Sequence, residues 1–118
     1  MTDDMRPALY DVWRMEFEFD DQPGVAKHRP VVVGAMSDNH AEVLVVKVTS
    51  HGPRHSFPGE VPLRGWREAG LDRPSVARCS RTLIVPLEAF EGQRRYGRLT
   101  QADAEAVAAA LHDLDMTL

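Results

Sequence analysis

Two short stretches hold most of the side chains that could act on a phosphodiester. Lys27-His28-Arg29 stands immediately before Pro30 and the apolar run Val31-Val32-Val33, and Thr49-Ser50-His51 follows the run Val43-Leu44-Val45-Val46-Lys47-Val48. A guanidinium offers forked donors to phosphate oxygens, and a threonine hydroxyl can donate to a non-bridging oxygen. Histidine can move a proton near neutral pH. If the two apolar runs are neighbouring antiparallel strands, Arg29 at the start of one and Thr49 at the end of the other meet at the same edge of the sheet. Lys27, His28, Ser50, His51, Arg54 and His55 would then flank them on adjoining loops. A plainer reading of the same residues makes Arg29 a surface residue ahead of a proline and Thr49 a strand-end hydroxyl.

Other chemistries fit less well. His51 and His55 are four residues apart, the spacing of zinc ligands on a helix, but Gly52 and Pro53 lie between them and no Cys pair or acidic partner stands nearby. No metal or other cofactor is expected. Cys79 falls in Val76-Ala77-Arg78-Cys79, which reads as a strand with the thiol as a small core or half-buried group. There is neither a Gly-rich phosphate loop nor a Gly-x-Ser-x-Gly elbow.

The elements that must position these residues are mostly strands. Trp13, Met15, Phe17 and Phe19 alternate with Val12, Arg14, Glu16 and Glu18, which predicts a first strand with one buried face. Asp20 to Gly24 supplies a turn, and a second strand is expected at about Val31 to Ala35 with Pro30 at its first position, where a missing donor is tolerated. Ser37-Asp38-Asn39-His40 is a short polar connection to a third strand from Ala41 to Val48. His51 to Gly59, rich in Gly and Pro, must be a loop, and a polar loop after a core strand is a place for function. Short strands are expected at Glu60 to Leu63, Ser75 to Ser80 and Thr82 to Val85, with one helical turn around Trp66-Arg67-Glu68-Ala69 closed by Gly70. Thr100 is a good N-cap with Asp103 three residues on, and Ala104, Val107, Ala108, Leu111 and Leu114 follow helical spacing. Strands first and helix last, without βαβ alternation, predict a small curled antiparallel sheet capped by a helix.

Length and charge bound the answer. A chain of 118 residues, 43% hydrophobic and 27% charged, suits one domain spanning 1–118 and leaves too little for two. The longest apolar runs fall far short of the roughly 20 residues a membrane helix needs. The acidic N-terminus lacks the apolar core of a secretory signal, and a single cysteine fits a reducing cytoplasm. The net charge of -4 at first argues against nucleic acid, but its distribution does not. Residues 1–26 carry seven acidic against two basic groups, and 99–118 carry four acidic and none basic. In between, residues 27–55 have four basic against two acidic groups, and residues 56–98 have eight arginines against five acids. The segment that supplies Arg29, Thr49 and the histidine-rich loop is therefore net basic.

At these residues the chain resembles the MazF/PemK family of bacterial type II toxin components. Asp11-Val12-Trp13 matches the family's opening strand, and Lys27-His28-Arg29-Pro30-Val31-Val32-Val33 matches its basic residue and Arg-Pro-aliphatic strand. Val45 to Ser50 matches the strand that ends in a Thr-Ser pair. Gly70 to Val76 and Gly97-Arg98-Leu99-Thr100 match the later Gly-Leu and Gly-x-Leu motifs. The short loop between Asp20 and Lys27 departs from the Glu-and-Gly pattern of the best-known members. The resemblance runs from about residue 10 to residue 114. It implies a mainly β fold, an SH3-like antiparallel barrel of about five to seven short strands (about 10–98), with a C-terminal helix (about 100–114). It also implies a cytoplasmic homodimer that cleaves single-stranded mRNA selectively and without metal, held inactive by a cognate antitoxin protein. In such an enzyme the substrate's 2'-hydroxyl attacks the adjacent phosphorus. Carried across by motif, Arg29 is the general acid or electrostatic clamp and Thr49 orients the phosphate. His28 or His51 is the candidate base, and Lys27, Ser50, Arg54 and His55 are candidate substrate contacts. The alternative on the same barrel is a non-catalytic module that binds an antitoxin-like peptide or another protein.

Overall fold

In the computed structural model, which describes residues 6–18, 26–50 and 57–118, six strands form one antiparallel sheet and a helix follows. The strands are β1 (Asp11–Glu18), β2 (Ala26–Met36), β3 (Glu42–Thr49), β4 (Glu60–Leu63), β5 (Ser75–Pro86) and β6 (Arg94–Arg98), and the helix is α1 (Gln101–Asp113). Their order across the sheet is β4-β5-β3-β2-β1-β6. The sheet curls into a half-barrel, the architecture that the resemblance implies.

The central strands are buried on both faces, which is why Val31-Val32-Val33 and Val43 to Val46 read as unbroken apolar runs instead of alternating ones. On one face Val12, Val32, Leu44, Val46 and Val48 pack with Val107 and Leu111 of α1. On the other, Trp13, Met15, Val31, Val33, Val43 and Val45 pack with Phe90 from the short 3-10 turn Leu87–Phe90. Trp13 and Phe90 meet edge to face with ring centroids 5.1 Å apart. The alternation in β1 is thus only part of its pattern: Val12, on the face expected to be polar, is fully buried under α1.

Two expected boundaries shift, and one strand is new. Pairing with β1 carries β2 back to Ala26, so Pro30 lies inside the strand, opposite Arg14, and not at its start. It is tolerated there because the ladder with β3 has its last pair at Val31↔Lys47, one step before the proline, so no donor to β3 is called for. The strands expected at Ser75 to Ser80 and Thr82 to Val85 are one strand, bent where the register with β3 jumps from Lys47↔Arg78 to Val46↔Thr82. Nothing apolar and alternating marks Arg94–Arg98 as a strand; its pairing with β1 at the end of the sheet makes it one, and a polar sequence suits an edge.

A turn, residues 64–70, joins the two ends of the curled sheet. It closes as the sequence predicts, with the Gly70 N–H donating to the Arg67 carbonyl and the Leu71 N–H to the Trp66 carbonyl, both at 3.0 Å, around Gly70 at φ 88°. A Cβ on Gly70 would lie 2.3 Å from the Tyr96 carbonyl oxygen, and one on Gly97 would lie 2.6 Å from the Ala69 carbonyl oxygen, so both glycines are needed for this turn to press on β6. The other side of the turn is held by α1. Thr100 caps the helix, its hydroxyl accepting from the Asp103 N–H. The Asp103 carboxylate does not complete a capping box; it is buried and accepts from the Arg64 and Gly65 N–H groups at 3.2 and 2.8 Å. Among the described residues no helix is long and apolar enough to cross a membrane.

Cys79 is fully buried on β5, and burial, with the Glu60 carboxylate beside it, pushes its thiol from an ordinary 9.0 up to about 11. It is a core group and not a nucleophile.

Two measurements check this packing. Gly70→Ala meets both a positive φ and the Tyr96 backbone and should cost about 3 kcal/mol, whereas Gly92→Ala, at φ 77° with open space around it, should cost only about 1 kcal/mol. Thermal melts of the two variants compared with the wild type read the difference. For Cys79, the folded chain holds the thiol proton more tightly than the unfolded chain. The stability this confers is intact below pH 9.0 and is lost as pH climbs towards about 11. Denaturant titrations across that range should show the fall, and Cys79→Ala should flatten it.

Candidate functional site

The site forms where two strands part. β2 and β3 are paired from Met36↔Val43 to Val31↔Lys47 and no further. Beyond that point β2 runs on beside β1 as far as Glu18↔Ala26, and β3 runs on beside β5 as far as Thr49↔Val76. The two strands are drawn apart by their other neighbours. A cleft of about 440 Å³ opens at this fork.

Its walls come from four places in the chain. β2 contributes His28, Arg29 and Pro30, and the end of β3 contributes Val48, Thr49 and Ser50. The segment between the glycine turn and β5 contributes Gly70 to Arg73 together with Ser75. Tyr96 enters from β6, brought there by the close approach of Gly70 to its backbone. Arg29, Thr49 and Ser50 thus share one cleft, and His28 joins them from within β2; Lys27 too lies on β2, not on an adjoining loop as expected, because the strand runs back to Ala26. His28 and Arg29 are exposed at its rim, and Thr49 is half-buried.

Lys27 is on β2 opposite Phe17 in the β1 register. His51, Arg54 and His55 lie outside the described residues. Among the described residues no three His, Cys, Asp or Glu side chains come together as ligands for a cation.

Several cleft residues were not singled out from the sequence. Outside the cleft's lining, Glu16 is the register partner of His28 across the β1–β2 ladder, a pairing that no sequence spacing reveals. Asp72 and Arg73, both largely exposed, form an ion pair of 3.3 Å at the mouth. Ser75 is buried, and its hydroxyl donates to the Arg73 carbonyl at 2.9 Å, fixing the turn that presents the pair. Tyr96 could have been found: an aromatic set among arginines in Arg94-Arg95-Tyr96-Gly97-Arg98 is a recognisable nucleic-acid pattern.

Arginine forks, hydroxyls and a histidine around an open cleft of this size suit a polyanionic chain, not a small apolar ligand. Comparison with known proteins agrees in fold. No curated protein sequence matches this chain. Among solved structures, the Mycobacterium tuberculosis toxin MazF-mt6 is similar with a TM-score of 0.61 at 24% identity, over 90% of this chain and 97% of that one. A MazE-MazF structure from Deinococcus radiodurans gives 0.64 at 17% identity, over 96% and 98%. An endoribonuclease from a mycobacterial species gives 0.65 at 14% identity, over 92% and 89%. The model of the PemK-like, MazF-like toxins of type II toxin-antitoxin systems matches residues 9–114, from the loop before β1 to the end of α1, and the chain therefore belongs to that family.

Proposed function

We propose that this toxin is a metal-independent, sequence-selective endoribonuclease that cuts single-stranded RNA in the cleft between β2 and β3. The observation that carries the reading is the convergence of Arg29, Thr49 and His28 on one cleft, in a chain of this family. The solved neighbour described as an endoribonuclease supports it at the level of the fold.

In this mechanism the 2'-hydroxyl of the substrate attacks the adjacent phosphorus. The P–O5' bond breaks, the departing 5'-oxygen takes up a proton from solvent water in the open cleft, and the products are a 2',3'-cyclic phosphate and a 5'-hydroxyl. Charge builds on the non-bridging oxygens at the transition state. Arg29 meets it with forked donors, and the Thr49 hydroxyl donates beside it. A guanidinium does not give up its proton at working pH, so Arg29 serves as clamp and not as acid. The proton of the 2'-hydroxyl goes to a histidine. His28, at the rim and in register with Glu16 on β1, is one candidate base, and His51 is the alternative. Lys27, Ser50, Arg54 and His55 contact the substrate on either side.

The partners follow from the same reading. A cognate antitoxin holds the toxin inactive in the cytoplasm, as the MazE-MazF pair from Deinococcus radiodurans suggests, and the toxin is a homodimer. β4 pairs only with Ser75 to Arg78, so the outer edge of β5 from Arg81 to Pro86 has no described strand beside it. Leu83 and Ile84 on that half are 37% and 54% exposed, an apolar surface for the second copy.

Purified protein should cut single-stranded RNA in the presence of EDTA, and Arg29→Ala and Thr49→Ala should each lower the rate by a factor of about 100 or more. Equal rates in the variants, or loss of cutting with EDTA, would overturn the assignment. Ile84→Lys should turn a dimer into a monomer in sedimentation at micromolar concentration; an unchanged dimer would move the interface elsewhere.

A further inference from the structure

Next to the cleft, two arginines face one another across a ladder. Arg14 on β1 is directly paired with Arg94 on β6. Directly opposed residues of an antiparallel pair project from the same face with Cβ atoms about 5 Å apart, and like charges there are destabilising. Among the described residues no carboxylate forms an ion pair with either of them, whereas Arg73, Arg78 and Arg95 are each matched to an acid. The contrast with Arg95 is informative. One position along β6, and so on the opposite face, it lies 3.4 Å from the buried Asp11 carboxylate. Glu16, the next acid on the Arg14 face of β1, stands opposite His28 instead. Arg14 is also half-buried, which weakens the screening of its charge by water. A stable sheet that keeps such a pair breaks a local rule, and such breaches mark functional sites.

The pair borders the cleft. Arg14 is opposite Pro30 on β2, which lines the fork, and the Arg94 guanidinium lies over the ring of Tyr96, 6.0 Å from its centroid. Tyr96 lines the cleft as well. β6 is two strands from β2, about 10 Å away, and Arg14, opposite Pro30, projects from the α1 face of the sheet whereas Arg29, opposite Met15, projects from the other, so the arginines approach the fork from its α1 side.

We propose that Arg14, Arg94 and Tyr96 form a second subsite that takes the nucleotide next to the scissile phosphate. The two guanidinium groups share the phosphate of that nucleotide, which removes their repulsion, and the Tyr96 ring stacks with its base. The inference rests on the reading of the fork as an RNA cleft. It adds a binding role for residues that touch neither the attacking nor the leaving oxygen.

The test uses a 2'-O-methyl oligonucleotide, which binds without being cut, titrated against the wild type, Arg14→Gln, Arg94→Gln and Tyr96→Leu over a series of salt concentrations. Each arginine variant should weaken binding about tenfold and lower the slope of log affinity on log salt by about 1. Tyr96→Leu should weaken binding about tenfold with the slope unchanged, because stacking releases no counterions. Thermal melts give a readout that a merely structural role would move the other way. Both arginine variants should melt at or above the wild-type temperature, since the substitution relieves a repulsion. Wild-type affinity and salt slope in the arginine variants, or lowered melting temperatures with the slope intact, would overturn the subsite. Failure of the wild type to bind the oligonucleotide at all would overturn the RNA reading of the cleft and the subsite with it.

Discussion

Past Val31 and Lys47, β2 follows β1 while β3 follows β5, and the gap between them is the place where this fold can admit a ligand. The parting is a matter of competing partners. Each strand keeps a full ladder on its outer side, so the separation on the inner side leaves both strands supported. Pro30 stands at the point of separation, where a residue without an N–H does least harm. Arg29 and Thr49 each lie two residues beyond the last β2–β3 pair, on rigid strands and not on loops, which suits groups that must be held in place for charge stabilisation.

The same curl supplies the far wall. The turn at residues 64–70 can reach β6 only because Gly70 and Gly97 carry no Cβ, and it is held from α1 by the buried Asp103 carboxylate. The C-terminal helix therefore does more than cover apolar surface. It ties the turn that precedes Asp72, Arg73 and Ser75 to the turn's position beside Tyr96. Two-sided burial of β2 and β3 gives these distant contacts a stiff base, since close-packed cores deform little.

Much of this was legible in the residues. The valine runs, the Gly and Pro punctuation, the Gly70 turn and the Thr100 cap placed four strands and the helix to within a few residues. Adjacency of the runs brought Arg29 and Thr49 to one sheet edge. What escaped depended on partners distant in the chain. β6 is polar and short and is a strand through pairing with β1; the kink in β5 is a register jump between two strands; and the Asp103 carboxylate, a plausible capping-box member by spacing, turns to the 64–70 turn instead. Tyr96 and Asp72 join the cleft for the same reason. The opposition of Arg14 and Arg94, residues far apart in sequence, follows from a ladder that contains a bulge between Val12 and Trp13 and that no periodicity reveals.

Binding of RNA in the fork between β2 and β3 can be read residue by residue through amide chemical-shift mapping with an uncleavable 2'-O-methyl oligonucleotide. The largest shifts should fall on His28, Arg29, Thr49, Ser50, Leu71 to Arg73 and Tyr96, the walls of the cleft. Shifts concentrated instead on Leu83, Ile84 and the outer edge of β5, with the fork unmoved, would contradict binding there.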